Sequence, residues 1–297
     1  MTFTQLEIFV LVAELQGFTS AAVRLGISQS AVSHAIKSLE QEWEVDLIER
    51  RQGNVEITEV GQRLLRRARE ILGLSEAMRQ EIAAVRGLNQ GFLRIGSFGP
   101  TSSLKLLPAI LGAYQKRYPG IEVRLDEAAD NDVIQWLLDR RVDIGFVVLP
   151  EERFDTVPLV EDHLMALVCR HHPLARRASV ALKDLADQPF IMSDAGCSAP
   201  IEPVFVAEKV TPQVRYRMSQ VLTILGMVER GYGVSILAEL ALPDDMTKTH
   251  PGIVALPLKP AVKRRVGLAM RDIRQAAPAA LAFLECAREV TTSTRFS

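Results

Sequence analysis

The apolar periodicity of this chain changes across Gly87-Leu88-Asn89-Gln90-Gly91. Before that break, apolar residues recur at helical spacing. From Phe92 onward, short apolar strands alternate with helical segments, which is the texture of an α/β fold. A chain of 297 residues, at about 100–200 residues per domain, has room for both parts as separate domains.

The first part divides into short helices. Leu6, Phe9, Val10 and Ala13 follow the i, i+3, i+4, i+7 spacing of one buried helical face. Gly17 fits the C′ stop of that helix. Thr19 then caps a helix over Ser20–Leu25, Gly26-Ile27 makes a tight turn, and Ser28 caps a third helix reaching about Trp43. On the third helix Val32, Ile36, Leu39 and Trp43 face inward, which leaves Ser30, Ser33, His34 and Lys37 on the opposite face. Leu47–Arg50 and Val55–Thr58 read as short strands around the turn-rich Arg51-Gln52-Gly53-Asn54. Thr58 caps a helix over Glu59–Arg86, roughly 40 Å long at 1.5 Å per residue. Along it Leu64, Ala68, Ile71, Ser75, Met78, Ile82 and Val85 alternate spacings of 4 and 3, a heptad seam with one polar member.

Two short helices around a glycine turn, the second presenting small polar and basic side chains, make a helix-turn-helix pattern. Its chemistry suits a major groove. Ser30 and Ser33 can bond base edges or phosphates, His34 and Lys37 can donate to guanine or phosphate, and Gln29 can pair with adenine. Arg50 and Arg51 at the hairpin tip suit flanking backbone contacts. The overall balance of 35 Lys+Arg against 36 Asp+Glu, net −1, excludes a polycation or an acidic disordered chain, but not a local basic face. Residues 1–87 hold 10 Lys+Arg and 12 Asp+Glu, net −2. Any DNA face must therefore be segregated from Glu40, Glu42, Glu44 and Asp46.

In the second part, strands are expected at Leu93–Gly96, Glu122–Asp126, Asp143–Val148, Leu164–Cys169, Phe190–Met192, Gln213–Arg217, Gly233–Leu237, Ile253–Leu256 and Arg265–Met270. Helices are expected at Ser102–Tyr118, Asn131–Asp139, Leu182–Ala186, Ile201–Glu208, Val221–Arg230 and Pro278–Val290. Enzyme motifs do not emerge. Gly233-Val234-Ser235 lacks the second glycine of a nucleophile elbow, His171-His172-Pro173 has no zinc-protease spacing, and no Walker loop or GxGxxG occurs. The expectation is a non-enzyme without cofactor or metal. Cys169, Cys197 and Cys286 are far apart and odd in number, which excludes a disulfide framework and points to a reducing compartment. With no charged segment before the early apolar run and no stretch of about 18 apolar residues, a cytoplasmic location is expected.

The run from Phe18 to Glu40, with Ala21-Ala22, Leu25-Gly26-Ile27-Ser28-Gln29-Ser30-Ala31-Val32-Ser33 and Leu39-Glu40, resembles the winged helix-turn-helix of LysR-type transcriptional regulators. Leu47-Ile48-Glu49-Arg50-Arg51 and Thr58-Glu59-Val60-Gly61 resemble that family's wing and the start of its linker helix. The resemblance covers essentially the whole chain. It implies an N-terminal, all-α winged helix-turn-helix (1–58) and a long linker or dimerisation helix (59–87). An α/β, two-lobed, periplasmic-binding-protein-like effector domain (88–297) follows. Lobe one would comprise 92–162 and 265–290, and lobe two 163–264, joined by crossing strands near Leu164–Val168 and Arg265–Ala269. The wing departs from the family in carrying Gln52, Asn54 and Glu56 where relatives often carry more positive charge.

By the same resemblance a small molecule binds between the lobes, at the carboxyl ends of strands. Thr101, Ser102 and Ser103 follow the first strand of the domain and open a helix, a ready anion site, and Asp130 opens the next helix. Ser193 and Cys197 follow a strand in the second lobe, and Ser219 precedes another helix. Asp130 and Asp194 disfavour a multiply charged anion, so a singly charged or amphipathic metabolite, such as a small carboxylate, is expected, held first by Thr101 and Ser102. The expected function is control of promoter DNA binding by this effector, in a homodimer or a dimer of dimers. The alternative is a redox-responsive regulator with Cys197 as its input, although no second cysteine lies nearby.

Overall fold

The computed structural model describes residues 1–51, 54–84, 91–194, 198–294 and 296. Three helices open the chain: α1 (Phe3–Leu15), α2 (Phe18–Leu25) and α3 (Gln29–Trp43). Two short antiparallel strands follow, β1 (Ile48–Arg51) and β2 (Asn54–Ile57), and then the long helix α4 (Glu59–Ala84).

The turn from α1 to α2 differs from the sequence expectation. The left-handed residue is Gln16, at φ 49°, whereas Gly17 is extended and stands as the N-cap of α2. The helix starts at Phe18, which is buried, so Thr19 lies inside it and caps nothing. The buried face of α1 is Leu6, Ile8, Phe9 and Val12, with Val10 and Ala13 only half-buried. The rotation has a packing cause, since α1 touches α2, α3 and α4 together. Elsewhere the local chemistry acts as its residue types suggest. Gly26 closes α2 in the left-handed region at φ 68°. The Ser28 hydroxyl caps α3 by accepting from the Ala31 N–H at 3.2 Å, and the Thr58 hydroxyl caps α4 by accepting from the Gly61 N–H at 2.9 Å.

The seam on α4 splits in two. Leu65 and Ala68 are buried in the core formed with α1, α2 and α3, and Leu64 packs against it. Beyond that point Ile71, Leu74, Met78 and Ile82 are exposed. Leu74 takes the place expected of Ser75, which is half-buried. Val85 lies outside the described residues.

The second part begins with β3 (Gly91–Phe98), a π-helical turn (Thr101–Leu106), α5 (Leu107–Arg117), β4 (Ile121–Ala128), α6 (Asp130–Leu138) and β5 (Ile144–Leu149). Then come β6 (Asp155–Cys169), α7 (Leu182–Ala186), β7 (Pro189–Ser193), α8 (Ser198–Ala207), β8 (Gln213–Met218) and α9 (Val221–Glu229). The chain continues through β9 (Ser235–Ala238), a 3-10 turn (Glu239–Ala241), α10 (Met246–Thr249), β10 (Ile253–Pro257), β11 (Lys263–Met270) and α11 (Pro278–Ser293).

A seven-stranded sheet runs in the order β10-β6-β11-β5-β3-β4, with β9 also on β6, and β7 and β8 form a separate parallel pair. Two apolar cores flank this sheet. One gathers β3, β5 and β11 with α5 and α11, around Ile95, Tyr114, Phe146, Leu268 and Phe283. The other gathers the second half of β6 with β7, β9 and α9, around Leu167, Phe190, Leu225 and Leu237. These are two lobes, and β6 passes through both. Its first half pairs with β11, and its second half pairs with β9 and β10.

From sequence that strand is expected at Leu164–Cys169, but it begins at Asp155. Pro158 and the run Glu161-Asp162-His163 hid the earlier half by breaking the apolar alternation. Pro158 has no N–H to donate, and the β6–β11 register shifts opposite it, between Val266 and Gly267. A Cβ at Gly267 would lie 2.4 Å from the Val157 carbonyl oxygen, so only glycine admits this approach.

Candidate DNA-reading face and effector cleft

The N-terminal half of α3 is a polar, solvent-facing surface. Gln29, Ser30, His34 and Lys37 are exposed and Ser33 is half-buried. Short bonds order this surface. The Gln29 amide donates to the Ser33 hydroxyl at 2.8 Å, and Ser28 and Ser30 share a hydroxyl bond of 2.9 Å. Two of the nearby acids are held by other groups. The Glu40 carboxylate accepts from the N–H groups of Leu47 and Ile48, at 2.9 and 3.2 Å, and so braces the base of the hairpin. Glu42 accepts from the Met1 amine at 2.7 Å. Arg50 and Arg51 belong to β1, opposite Val55 and Asn54, while their side chains, and Gln52 and Gly53, lie outside the described residues.

Between the lobes, the polar residues fall into two groups. In the first lobe Ser97 is buried near the carboxyl end of β3, and its hydroxyl lies 3.0 Å from that of Ser102 and 2.9 Å from that of Ser103. Ser102 also accepts from the Phe98 N–H at 3.0 Å and donates to the Phe98 carbonyl. The expected α-helix over Ser102–Tyr118 opens instead as a π-helical turn, Thr101–Leu106, a form found often at functional sites. Thr101 and Ser102 are buried and already bonded, and Ser103 is the half-buried hydroxyl of the three.

The Thr101 hydroxyl accepts from Arg264 Nη2 at 2.7 Å, and that same nitrogen also donates to Asp162. Arg264 and Asp162 stand opposite each other on β11 and β6, and neither side chain has any exposed surface. The second carboxylate oxygen of Asp162 accepts from the Leu240 N–H at 3.4 Å. One buried ion pair on the two shared strands thus touches Thr101 of the first lobe and the Glu239–Ala241 turn of the second. Lys105, in the π-helical turn, also reaches across to Asp244.

Asp130 is buried at the first position of α6, past the carboxyl end of β4. Burial pushes its carboxyl up from the ordinary value, while the N–H groups of Asn131 and Asp130 and the charge of Arg264 pull it down. This helix terminus is therefore occupied by the chain's own carboxylate.

Ser193 and Ser219 belong to the second lobe. Ser193 is buried at the end of β7 and pairs in register with Met218, next to the exposed Ser219. Cys197 lies outside the described residues. Arg264, Asp162, Ser97 and Lys105 were not singled out from sequence. The signal for Arg264 was present, because Lys263-Arg264-Arg265 in a strand must alternate, and the middle residue points inward.

Comparison with known proteins matches both parts of the chain. Residues 3–62 match the bacterial regulatory helix-turn-helix protein model of the lysR family, and residues 86–292 match the LysR substrate binding domain. The HTH-type transcriptional regulator YvbU of Bacillus subtilis is 34% identical over 291 residues, covering 98% of this chain and 99% of its own length. The DNA-binding transcriptional dual regulator OxyR of Escherichia coli is 30% identical over 276 residues, covering 91% of this chain and 90% of its own. A full-length OxyR variant from Pseudomonas aeruginosa superposes with a TM-score of 0.79 at 25% identity, over 100% of this chain and 96% of its own. CbnR in complex with its target DNA shares the fold, with a TM-score of 0.64 at 24% identity over 98% of this chain and 100% of its own. Among the described residues no helix is long and apolar enough to cross a membrane. With both of its parts matched, the chain belongs to the LysR family: it is a DNA-binding transcriptional regulator with an effector-binding domain, and not an enzyme.

Proposed function

We propose that this regulator reads promoter DNA through Gln29, Ser30, Ser33, His34 and Lys37, with Arg50 and Arg51 on the flanking backbone. A small metabolite bound between its lobes controls that reading. The observation that carries the effector half is the buried polar cluster of Ser97, Thr101, Ser102, Asp130, Asp162 and Arg264 beside the shared strands. Burying so many polar groups costs stability unless each is bonded, and a cluster joined to both lobes senses what lies between them. One guanidinium stands among two buried carboxylates, which disfavours a multiply charged anion. The ligand is neutral or singly charged, a small carboxylate at most, and Ser103 and Ser219 are the hydroxyls open to it. The exposed half of the α4 seam supports assembly as a homodimer or a dimer of dimers, which sets the spacing of two reading helices on DNA.

The test is a thermal-shift screen of metabolites on the full chain, since a ligand selective for the native state raises its apparent stability. Any hit is then added to a promoter-binding assay at fixed salt. A metabolite that raises the melting temperature and changes promoter affinity supports the reading. A hit whose binding is unaffected by Ser103→Ala and Ser219→Ala together, and that leaves promoter affinity unchanged, refutes it.

A further inference from the structure

A cavity lies at the opposite end of the first lobe from the candidate effector cleft. Its volume is about 390 Å³, and it is walled by α4 on one side and by the amino ends of β3 and β5 on the other. The end of β11 reaches it as well, because β11 runs antiparallel to β5 with Ala269 opposite Gly145. Arg69 comes from α4, Arg140 from the turn after α6, and Arg271 from the residue after β11.

Among the described residues these arginines are short of acceptors. Arg69 is nine-tenths buried, its bonds to Glu14 and to the Asp139 carbonyl are long at 3.3 and 3.5 Å, and its buried Nε–H has no hydrogen-bond partner. Arg140 also has a buried Nε–H without a partner, and it shares the single carboxylate of Glu70 with Arg67. Arg271 is exposed and, among the described residues, donates to the Leu138 carbonyl at 3.0 Å. Glu70, Asp143 and Asp272 also line the cavity, but Asp143 is taken up by the Arg94 N–H and guanidinium, and Asp272 is spent on the Arg274 N–H and the Gln275 amide. Burial lowers the affinity of both Arg69 and Arg140 for their protons, and the charges of Arg271 and Arg67 add to this at Arg140. Three guanidiniums from three segments thus converge on a cavity with too few oxygens to receive their N–H groups.

From this geometry we infer that the junction of α4 with the first lobe is a second ligand site, which takes a small oxyanion, phosphate or carboxylate, between Arg69, Arg140 and Arg271. Such an anion supplies the missing acceptors in the forked geometry that guanidinium prefers. By bridging Arg69 to Arg140 and Arg271, it ties the linker helix to the effector lobe independently of the cleft.

The full chain is titrated calorimetrically with inorganic phosphate and, separately, with succinate, each against chloride at matched ionic strength. One of the two binds with millimolar or tighter affinity, and which one binds identifies the source of the oxyanion. Arg271→Gln, at an exposed position, weakens that binding at least tenfold. Arg140→Lys keeps the charge, removes the fork and weakens it by a similar factor, whereas Ser103→Ala in the cleft leaves it unchanged. Absence of binding by both probes, at concentrations well above the millimolar affinity expected, overturns the proposal. So does binding that survives both arginine substitutions, or binding that Ser103→Ala removes.

Discussion

At the residue scale the sharpest case is Arg264. It stands between two exposed basic residues, Lys263 and Arg265, yet its side chain is fully buried against Asp162. A buried pair gains little over apolar residues of the same volume, but losing one partner leaves an uncompensated charge. Arg264→Met should therefore destabilise the chain by about 3–5 kcal/mol. Adding Asp162→Leu should recover much of that loss. Urea unfolding of the four proteins gives the coupling, and simply additive costs would show that the pair does not act as a unit. On α3 the ordered bond between Gln29 and Ser33 makes the reading face a connected surface. Ser33→Ala with His34→Ala should lower the preference for cognate over random DNA by at least about 1 kcal/mol. An unchanged preference in a salt-controlled binding assay would move base reading away from this face.

At the scale of elements, α4 carries two kinds of apolar position that look alike in sequence. Ala68 is buried among α1, α2 and α3, while Met78 and Ile82 are exposed. A single substitution chemistry separates them. Ala68→Glu should destabilise the N-terminal domain by about 3 kcal/mol, because it buries a charge without a partner. Met78→Glu with Ile82→Glu should leave the melting temperature of the protomer nearly intact and dissociate the assembly, as read by sedimentation. An unchanged sedimentation coefficient in that double variant would place the assembly contact elsewhere. The same helix shows what was legible and what was not. The heptad spacing and the Thr58 cap could be read directly, because both depend on neighbours in the chain. The division of the seam could not, because it depends on where α1 packs. β6 repeats the point: its second half alternates cleanly, whereas the first is a strand only through β11, with Gly267 making room opposite Pro158. In the cleft, the loop hydroxyls after β3 were legible as a candidate anion site. Their buried partner Arg264 arrives from a strand far along the chain, and no local pattern announces that meeting.

At the scale of the whole molecule, the question is how a change between the lobes reaches the DNA-reading helix. The linker helix is fastened to the effector domain by Gln80, which is almost wholly buried. Its amide donates to the Phe92 carbonyl at 2.8 Å, and its carbonyl oxygen accepts from the Ala279 N–H at 3.2 Å. One side chain thereby joins α4 to β3 and to α11. Gly91 keeps this contact possible, since a Cβ there would stand 3.0 Å from the Gln80 side chain and the backbone has φ 142°. Gln80→Leu keeps a similar volume but strands one carbonyl and one N–H in an apolar setting, at about 1–3 kcal/mol for each. The loss falls on the junction and not on either core, so the two parts should uncouple. Scanning calorimetry of the full chain should then resolve separate transitions for the N-terminal and effector domains. Hydrogen exchange at the Ala279 amide should accelerate, while amides in the middle of β3 and β5 stay protected. If the variant melts in one transition at the parent temperature with Ala279 still protected, the coupling does not run through Gln80, and the Arg140–Glu70 pair is left as the principal tie between α4 and the first lobe.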